Sequence, residues 1–141
     1  MKALLTALLL LCPAGVSASA GLHVAGALGP GLKLLRLFVV LLAGCFVVAL
    51  PTIVSCRRFS AGRSGREFWR RHVYPACPGW MKWTFRALMA YLAAWVVAGG
   101  VLAAVDPAGA ERWVAMVFTA SFMALYFGCG VLLCFRLGRE P

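Results

Sequence analysis

The chain has 141 residues, of which 63 % are hydrophobic and only 13 % are charged, and its mean hydropathy is +0.90. A water-soluble domain of this size has too little interior to bury so much apolar surface, so the composition predicts a membrane protein. Fourteen Lys and Arg against four Asp and Glu give a net charge of +10. The basic residues cluster beside apolar segments without a nucleic-acid recognition module. They therefore indicate membrane orientation, and no nucleic-acid partner is expected.

The N-terminal apolar segment allows two interpretations. Residues 1–20 are typical of a signal peptide, because Lys2 precedes ten apolar residues, Pro13 interrupts them, and residues 18–20 form a small-x-small cleavage site. Ten helical residues cover about 15 Å, roughly half of the hydrocarbon core of a bilayer. The alternative is an uncleaved span that continues to about residue 28. The glycines and serines of this segment count against that alternative, so we favour the signal peptide.

Three longer apolar runs predict spanning helices over residues 37–55, 84–105 and 113–135. The first contains nineteen residues, which rise about 29 Å as a helix and match the bilayer core. Pro51 is expected to bend this helix near its end. The predicted fold class is therefore all-α, a polytopic helical membrane bundle. It has three spanning helices plus an N-terminal apolar segment that is either a signal peptide or a fourth span.

A basic segment over residues 56–83 separates the first two of these spans. Short loops rich in Lys and Arg stay in the cytoplasm, so we place this segment and the tail 136–141 there. The Ala-, Gly- and Arg-rich composition is typical of a bacterial protein, which predicts the bacterial inner membrane. Between residues 63 and 74, aromatic and aliphatic side chains share one helical face and arginines occupy another, which predicts a short amphipathic helix at the membrane surface. The candidate surface for anionic lipid headgroups or an acidic partner comprises Arg57, Arg58, Arg63, Arg66, Trp69, Arg70, Arg71, Trp80, Lys82 and Trp83.

Cys56, His72 and Cys77 form the polar Cys/His set of the basic segment. Two thiolates and an imidazole are sufficient for a catalytic zinc site, and a Cys-Pro pair such as Cys77-Pro78 is the short motif by which some proteins bind regulatory haem. A thiol beside arginines can also have a lowered pKa and react readily. The spacing matches no standard zinc framework, however. We therefore predict no cofactor and keep this set as an alternative metal site.

The three predicted spans lack ionisable residues in their interiors, which disfavours a pump or an ion-coupled transporter. The last two of these spans carry instead small residues at every fourth position, which allow helix backbones to approach closely in a membrane. Gly99 and Ala103 begin a neighbouring ridge. The simplest prediction is that the last two spans pack as an antiparallel hairpin, and the stronger one is a self-association face. The predicted packing residues are Ala90, Ala94, Ala98, Ala120, Ala124 and Gly128.

These patterns favour a small integral membrane protein that serves as a structural or accessory subunit. It would act through helix packing and its basic cytoplasmic surface, and it is not expected to be an enzyme. Its expected partners are anionic lipids and either a second copy or a larger membrane complex. Two alternatives remain open: a thiol-, metal- or haem-dependent membrane enzyme or sensor centred on the basic segment, and an oligomeric channel for an uncharged solute.

Overall fold

The computed structural model describes residues 2–28, 34–60 and 65–138, and these residues form helices and no strand. The predicted all-α class is therefore confirmed for the described chain. Four stretches within these helices are long and apolar enough to span a membrane: Lys2–Ala27, Leu37–Arg57, Gly79–Val105 and Pro107–Leu137. The helices in chain order are α1 (Lys2–Leu28), α2 (Leu34–Ser60), α3 (Gly65–Phe68), a π-helical turn (Trp69–Val73), α4 (Tyr74–Ala76), α5 (Gly79–Val105), a 3-10 turn (Pro107–Gly109) and α6 (Ala110–Leu137).

Helix α6 lies at the centre of the bundle. Half of the residues in its most apolar stretch are buried (50 %), whereas the corresponding fraction in α5 is 6 %. The main core forms where α1 and α2 pack against α6. It comprises Leu5, Leu8, Cys12, Leu41, Cys45, Val48, Phe122, Tyr126, Cys129 and Leu133. The bundle is thus organised around its last helix.

Helices α1 and α6 pack antiparallel, and small residues mark their contact. A Cβ at Gly15 would overlap the ring of Tyr126, and a Cβ at Gly26 would lie 3.2 Å from the sulfur of Met116. Ser19 is fully buried on the same helix, and its hydroxyl donates to the Gly15 carbonyl at 2.7 Å. We call Gly15, Ser19 and Gly26 the α1 seam. Side chains this small let two helices approach closely, as membrane helices commonly do.

The N-terminal segment departs from expectation in its length. Pro13 was expected to end the apolar helix, but α1 continues through it to Leu28 and covers 27 residues. Three of the glycines and serines that counted against a span, Gly15, Ser19 and Gly26, are the residues that fit against α6. They lower intrinsic helix propensity, but packing in the bundle compensates for this. Whether residues 1–20 are removed stays a prediction.

The remaining helices include the predicted spans and extend beyond them. Pro51 lies inside α2, and α5 begins five residues before the predicted start at residue 84. A helix does not end where its apolar residues end, because backbone hydrogen bonds continue into the polar flank. The turn between α5 and α6 is short, as expected. There the Asp106 carboxylate accepts a hydrogen bond from the Gly109 amide at 3.0 Å.

Candidate functional site

A buried histidine joins three helices in the interior of the bundle. His23 of α1 is only 6 % exposed. Its Nδ1 lies 2.8 Å from the hydroxyl of Thr119 on α6, and its Nε2 lies 2.6 Å from the hydroxyl of Tyr91 on α5. The ring of Trp95, also on α5, meets the imidazole edge-on with the centroids 4.9 Å apart. We call His23, Tyr91, Trp95 and Thr119 the histidine centre.

The hydrogen-bond network assigns a tautomer to His23. The Thr119 oxygen lies 3.1 Å from the Ala115 carbonyl and 3.0 Å from the Met116 carbonyl, so its single proton is donated within α6. The threonine therefore accepts from Nδ1–H, and Nε2 accepts from the Tyr91 hydroxyl. Both ring nitrogens of the neutral imidazole are thereby satisfied. In an apolar interior this arrangement avoids the cost of an unpaired polar group and fixes the positions of α1, α5 and α6.

Arg112 closes the neighbouring end of the bundle. Its Nε donates to the Gly26 carbonyl at 3.0 Å, and its guanidinium also donates to the Ala27 carbonyl at 2.6 Å. These carbonyls belong to the last turn of α1, where helical partners are missing and a positive charge is favourable. A cavity of about 20 Å³ lies between this arginine and Thr119, lined by Leu22, Gly26, Phe38, Arg112, Ala115, Met116 and Thr119. That volume accommodates about one water molecule and no larger ligand.

The histidine centre was not expected from the sequence, because the favoured signal peptide ends at residue 20 and only the alternative span to about residue 28 includes His23. The spans considered charge-free do lack Asp, Glu, Lys and Arg in their interiors, but α1 adds a titratable group to the bundle. A histidine near the end of a 26-residue apolar helix was the available signal. Tyr91 and Thr119 carried no such signal, because each is ordinary on its own helix.

The basic segment folds against the end of α6. Phe68 and Val73 are buried together with Val131, and Phe68 also contacts the ring of Phe135. Arg71 pairs with Glu67 at 3.2 Å. The residues with exposed side chains include Arg57, Arg66, Arg70, Arg71, Trp80 and Trp83. The apolar side chains Phe68 and Val73 of this segment thus pack on α6, whereas these arginines and tryptophans are exposed. That this segment lies on a membrane surface stays a prediction, and Arg63 and the side chain of Arg58 lie outside the described residues.

The alternative metal site receives no support from the geometry. Cys56 and Cys77 pack against the apolar cluster of the basic segment, and His72 stacks on Phe68 with the ring centroids 5.6 Å apart. Within residues 2–28, 34–60 and 65–138, no group of three His, Cys, Asp or Glu side chains could hold a metal ion. Burial raises the pKa of the Cys77 thiol, and nearby Lys82 offsets this only in part. The expectation of a lowered thiol pKa is therefore wrong for Cys77.

A groove opens where the basic segment meets α5. It has a volume of about 390 Å³. The Arg86 guanidinium lies 5.6 Å from the ring centroids of both Tyr74 and Trp83, and the Lys82 ammonium lies 5.4 Å from that of Tyr74. Such cation–π contacts position the charged groups without neutralising them. We call this feature the basic groove, and its lining residues are Trp69, Arg70, Tyr74, Phe85, Arg86 and Met89.

The two predicted stripes of small residues occupy different environments. Ala120 and Ala124 are buried in the centre of α6, and a Cβ at Gly128 would lie 3.6 Å from the Phe85 ring. In contrast, Ala90, Ala94 and Ala98, here called the α5 stripe, are exposed. Helix α5 contacts α6 through its buried Gly99, where a Cβ would lie 2.6 Å from a methyl group of Val117. The α5–α6 hairpin therefore forms without the α5 stripe.

Comparison with known proteins adds no assignment to this geometry. No family model matches the sequence, and no curated protein or solved structure matches it significantly. The function must therefore be argued from the residues of this chain.

Proposed function

We propose that this chain is a four-span integral membrane protein that acts as an accessory subunit by packing against another membrane helix. In this arrangement both ends of the described chain and the basic segment face the cytoplasm, in accordance with the distribution of Lys and Arg. The turn between α5 and α6 faces the opposite side. The four long apolar helices of the structure support this proposal by their length and composition.

The retention of α1 as the first span is part of the proposal. Three residues of α1 contribute to the main core, and His23 binds side chains of two other helices. Removal of α1 would expose the ring of Tyr126, which lies against Gly15, and would leave Thr119 without its histidine. Cleavage after residue 20 would leave only residues 21–28 of α1, which include His23. The packing therefore favours an uncleaved helix.

The proposed function rests on one observation, the exposed outer face of α5. Only 6 % of the most apolar stretch of α5 is buried, although the helix has 27 residues. The α5 stripe lies on this exposed surface. Alanines spaced by four let a second helix approach closely, and membrane helices associate largely through such packing. We propose that a helix of another membrane subunit, or of a second copy of this chain, covers this stripe.

Cross-linking in native membranes tests this function. Ala94→Leu places a large side chain in the middle of the α5 stripe, whereas Ala93→Leu makes the same change at an exposed neighbouring position about 100° around the helix. We expect the wild type and Ala93→Leu to yield the same cross-linked species and Ala94→Leu to lose it. Mass spectrometry of the cross-linked band identifies the neighbour as a second copy or another protein.

Two outcomes would contradict this function. A wild-type chain that migrates alone in mild detergent and has no cross-linked neighbour does not act as a subunit. Equal loss of the cross-linked species in both variants would show that the alanine stripe is not the contact. Extraction of membranes at alkaline pH tests the span proposal separately, because an integral protein remains in the pellet.

The histidine centre favours a second candidate function, a membrane protein whose helix contacts respond to protonation. A second proton on His23 would require Nε2–H to donate to the Tyr91 oxygen, so the tyrosine hydroxyl would have to turn. Tyr91 is the titratable group in contact with the imidazole, and Arg112 lines the adjacent cavity. A cross-linking pattern that changes with pH in the wild type and not in His23→Gln would support this candidate. An identical pH response in both proteins would exclude it.

A further inference from the structure

We propose that the basic groove binds one anionic glycerophospholipid, with its phosphate between Arg70 and Arg86 and the start of an acyl chain along Phe85 and Met89. This inference rests on the proposed function only in requiring that the chain lie in a membrane. It assigns a binding site to a part of the basic surface, and the remaining arginines of the segment are not part of it.

The charges in the groove favour a phosphate. Arg70 and Arg86 both have exposed side chains, and none of the lining residues is a carboxylate. Within the described part of the basic segment, the carboxylate is that of Glu67, which forms an ion pair with Arg71 at 3.2 Å. A guanidinium binds phosphate oxygens through two parallel hydrogen bonds, so two arginines at one groove suit a single phosphate group.

The aromatic residues position one of these arginines in advance. The Arg86 guanidinium contacts the rings of both Tyr74 and Trp83, at 5.6 Å from each ring centroid. The ring of Trp69 in turn packs against that of Phe85, with the centroids 5.1 Å apart. Side chains that are already fixed by contacts lose less conformational entropy when a ligand binds. This favours a defined binding site over diffuse attraction by mobile charged side chains.

The shape of the groove favours a lipid over a free anion. Its volume is about 390 Å³, in the range of pockets that hold organic ligands of moderate size, and a phosphate alone would leave most of it unfilled. Phe85 is half-buried and Met89 is 44 % exposed, and both lie on α5 in its apolar stretch. The glycerol and the first methylene groups of an acyl chain would cover these side chains.

The position of the groove along α5 agrees with this ligand. Arg86 lies within about two turns of the start of α5. Trp80 and Trp83 in the same two turns are 62 % and 70 % exposed. Tryptophans concentrate at the level of the lipid headgroups, so the arginines would meet phosphates there while Met89 extends toward the hydrocarbon. An acidic peptide would bind in water and would gain little from the apolar half of the groove.

Native mass spectrometry of the full chain in mild detergent tests this site. Phosphatidylglycerol and phosphatidylcholine with identical acyl chains are titrated onto the wild type, and the affinity for the first bound lipid is measured. We expect the wild type to prefer phosphatidylglycerol by about 25-fold, since each of the two arginines near an anionic headgroup contributes about a factor of five. Arg70→Gln/Arg86→Gln should lose this preference. Arg66→Gln/Arg71→Gln removes the same charge outside the groove and should retain it to within about twofold.

Four results would overturn the inference. Equal loss in the two double variants would mean that diffuse charge attracts the lipid, and equal affinity of the wild type for both lipids would exclude headgroup recognition. Displacement of the lipid by inorganic phosphate at constant ionic strength would indicate a site for soluble anions. Displacement by a polyglutamate peptide would indicate an acidic protein partner. If the wild type keeps its cross-linked neighbour in native membranes while any of these results is found, the lipid site fails and the proposed function does not.

Discussion

The α1 seam and the α5 stripe are both built from small residues on apolar helices, but their surroundings differ. The α1 seam is buried against α6, whereas the α5 stripe is exposed. The α1 helix meets two large side chains at its glycines, Tyr126 and Met116, and is also joined to α6 through His23 and Arg112. The anchors of α5 lie beside the α5 stripe and not on it: Tyr91 binds His23, and Gly99 contacts Val117.

The difference shows what small-residue spacing can and cannot predict. Spacing identifies a face that another helix can approach, because it removes the side chains that would keep the backbones apart. It does not identify the partner. The partner is selected by the large side chain that fills the space and by the polar groups that must be paired in an apolar medium. In this chain α6 supplies both to α1, and it offers neither to the α5 stripe.

The largest expected effect comes from filling the α1 seam. In Gly15→Leu the new side chain would occupy the volume of the Tyr126 ring, which is buried, so we expect the free energy of unfolding to fall by about 3 kcal/mol. Gly21→Leu is the matched control, because no atom lies within 4 Å of a Cβ at that position. The measurement is the temperature at which the protein loses its monodisperse peak in size-exclusion chromatography. Equal stability of the two variants would show that α1 does not pack on α6 through this seam.

Removing the histidine centre should have the next largest effect. His23→Leu replaces the imidazole with an apolar side chain of similar size and so deletes the hydrogen bonds to Thr119 and Tyr91. Hydrogen bonds between membrane helices contribute about 0.6 kcal/mol on average, so we expect a loss of about 1–2 kcal/mol once the unpaired groups are included. Val24→Leu changes an exposed neighbour and should leave the same thermal transition unchanged. A His23→Leu protein as stable as this control would contradict the proposed anchoring role.

A smaller effect is expected where α5 contacts α6. Gly99→Leu would meet a methyl group of Val117 at 2.6 Å, but the end of a side chain can move, so we expect a loss of about 1 kcal/mol. Gly100→Leu gains the same helix propensity and has no atom within 4 Å of its Cβ. The difference between the two melting temperatures isolates the contact. If Gly100→Leu is the less stable variant, the face by which α5 packs on α6 has been assigned wrongly.

The smallest effect on stability is expected in the α5 stripe itself. Ala94→Leu adds a side chain at an exposed position, and surface changes of this kind usually alter the free energy of unfolding by less than about 0.5 kcal/mol. The isolated chain should therefore melt at the wild-type temperature in mild detergent even though its cross-linked species is lost from native membranes. A destabilised Ala94→Leu monomer would instead place the α5 stripe inside the bundle.

The sequence by itself determined the apolar helices and the basic segment between them. Composition alone predicted a membrane solvent, and the apolar runs located the ends of α2, α5 and α6 to within five residues. The two faces of the basic segment also followed from periodicity, with Phe68 and Val73 on one side and Arg66 and Arg70 on the other. Each of these features depends on the local order of apolar and charged residues, which a single sequence displays directly.

Only the tertiary structure decided how the helices use those features. No single segment of the sequence shows that Gly15 accommodates Tyr126 or that the α5 stripe remains uncovered. Nor does any single segment show that His23 binds Tyr91 and Thr119. Residues 23, 91 and 119 are far apart in the chain, and hydrogen bonding between them depends on the rotation of three helices about their axes. The physical reason is that local sequence specifies which helix face is small or apolar, whereas the fit of large side chains and the pairing of buried polar groups select its partner.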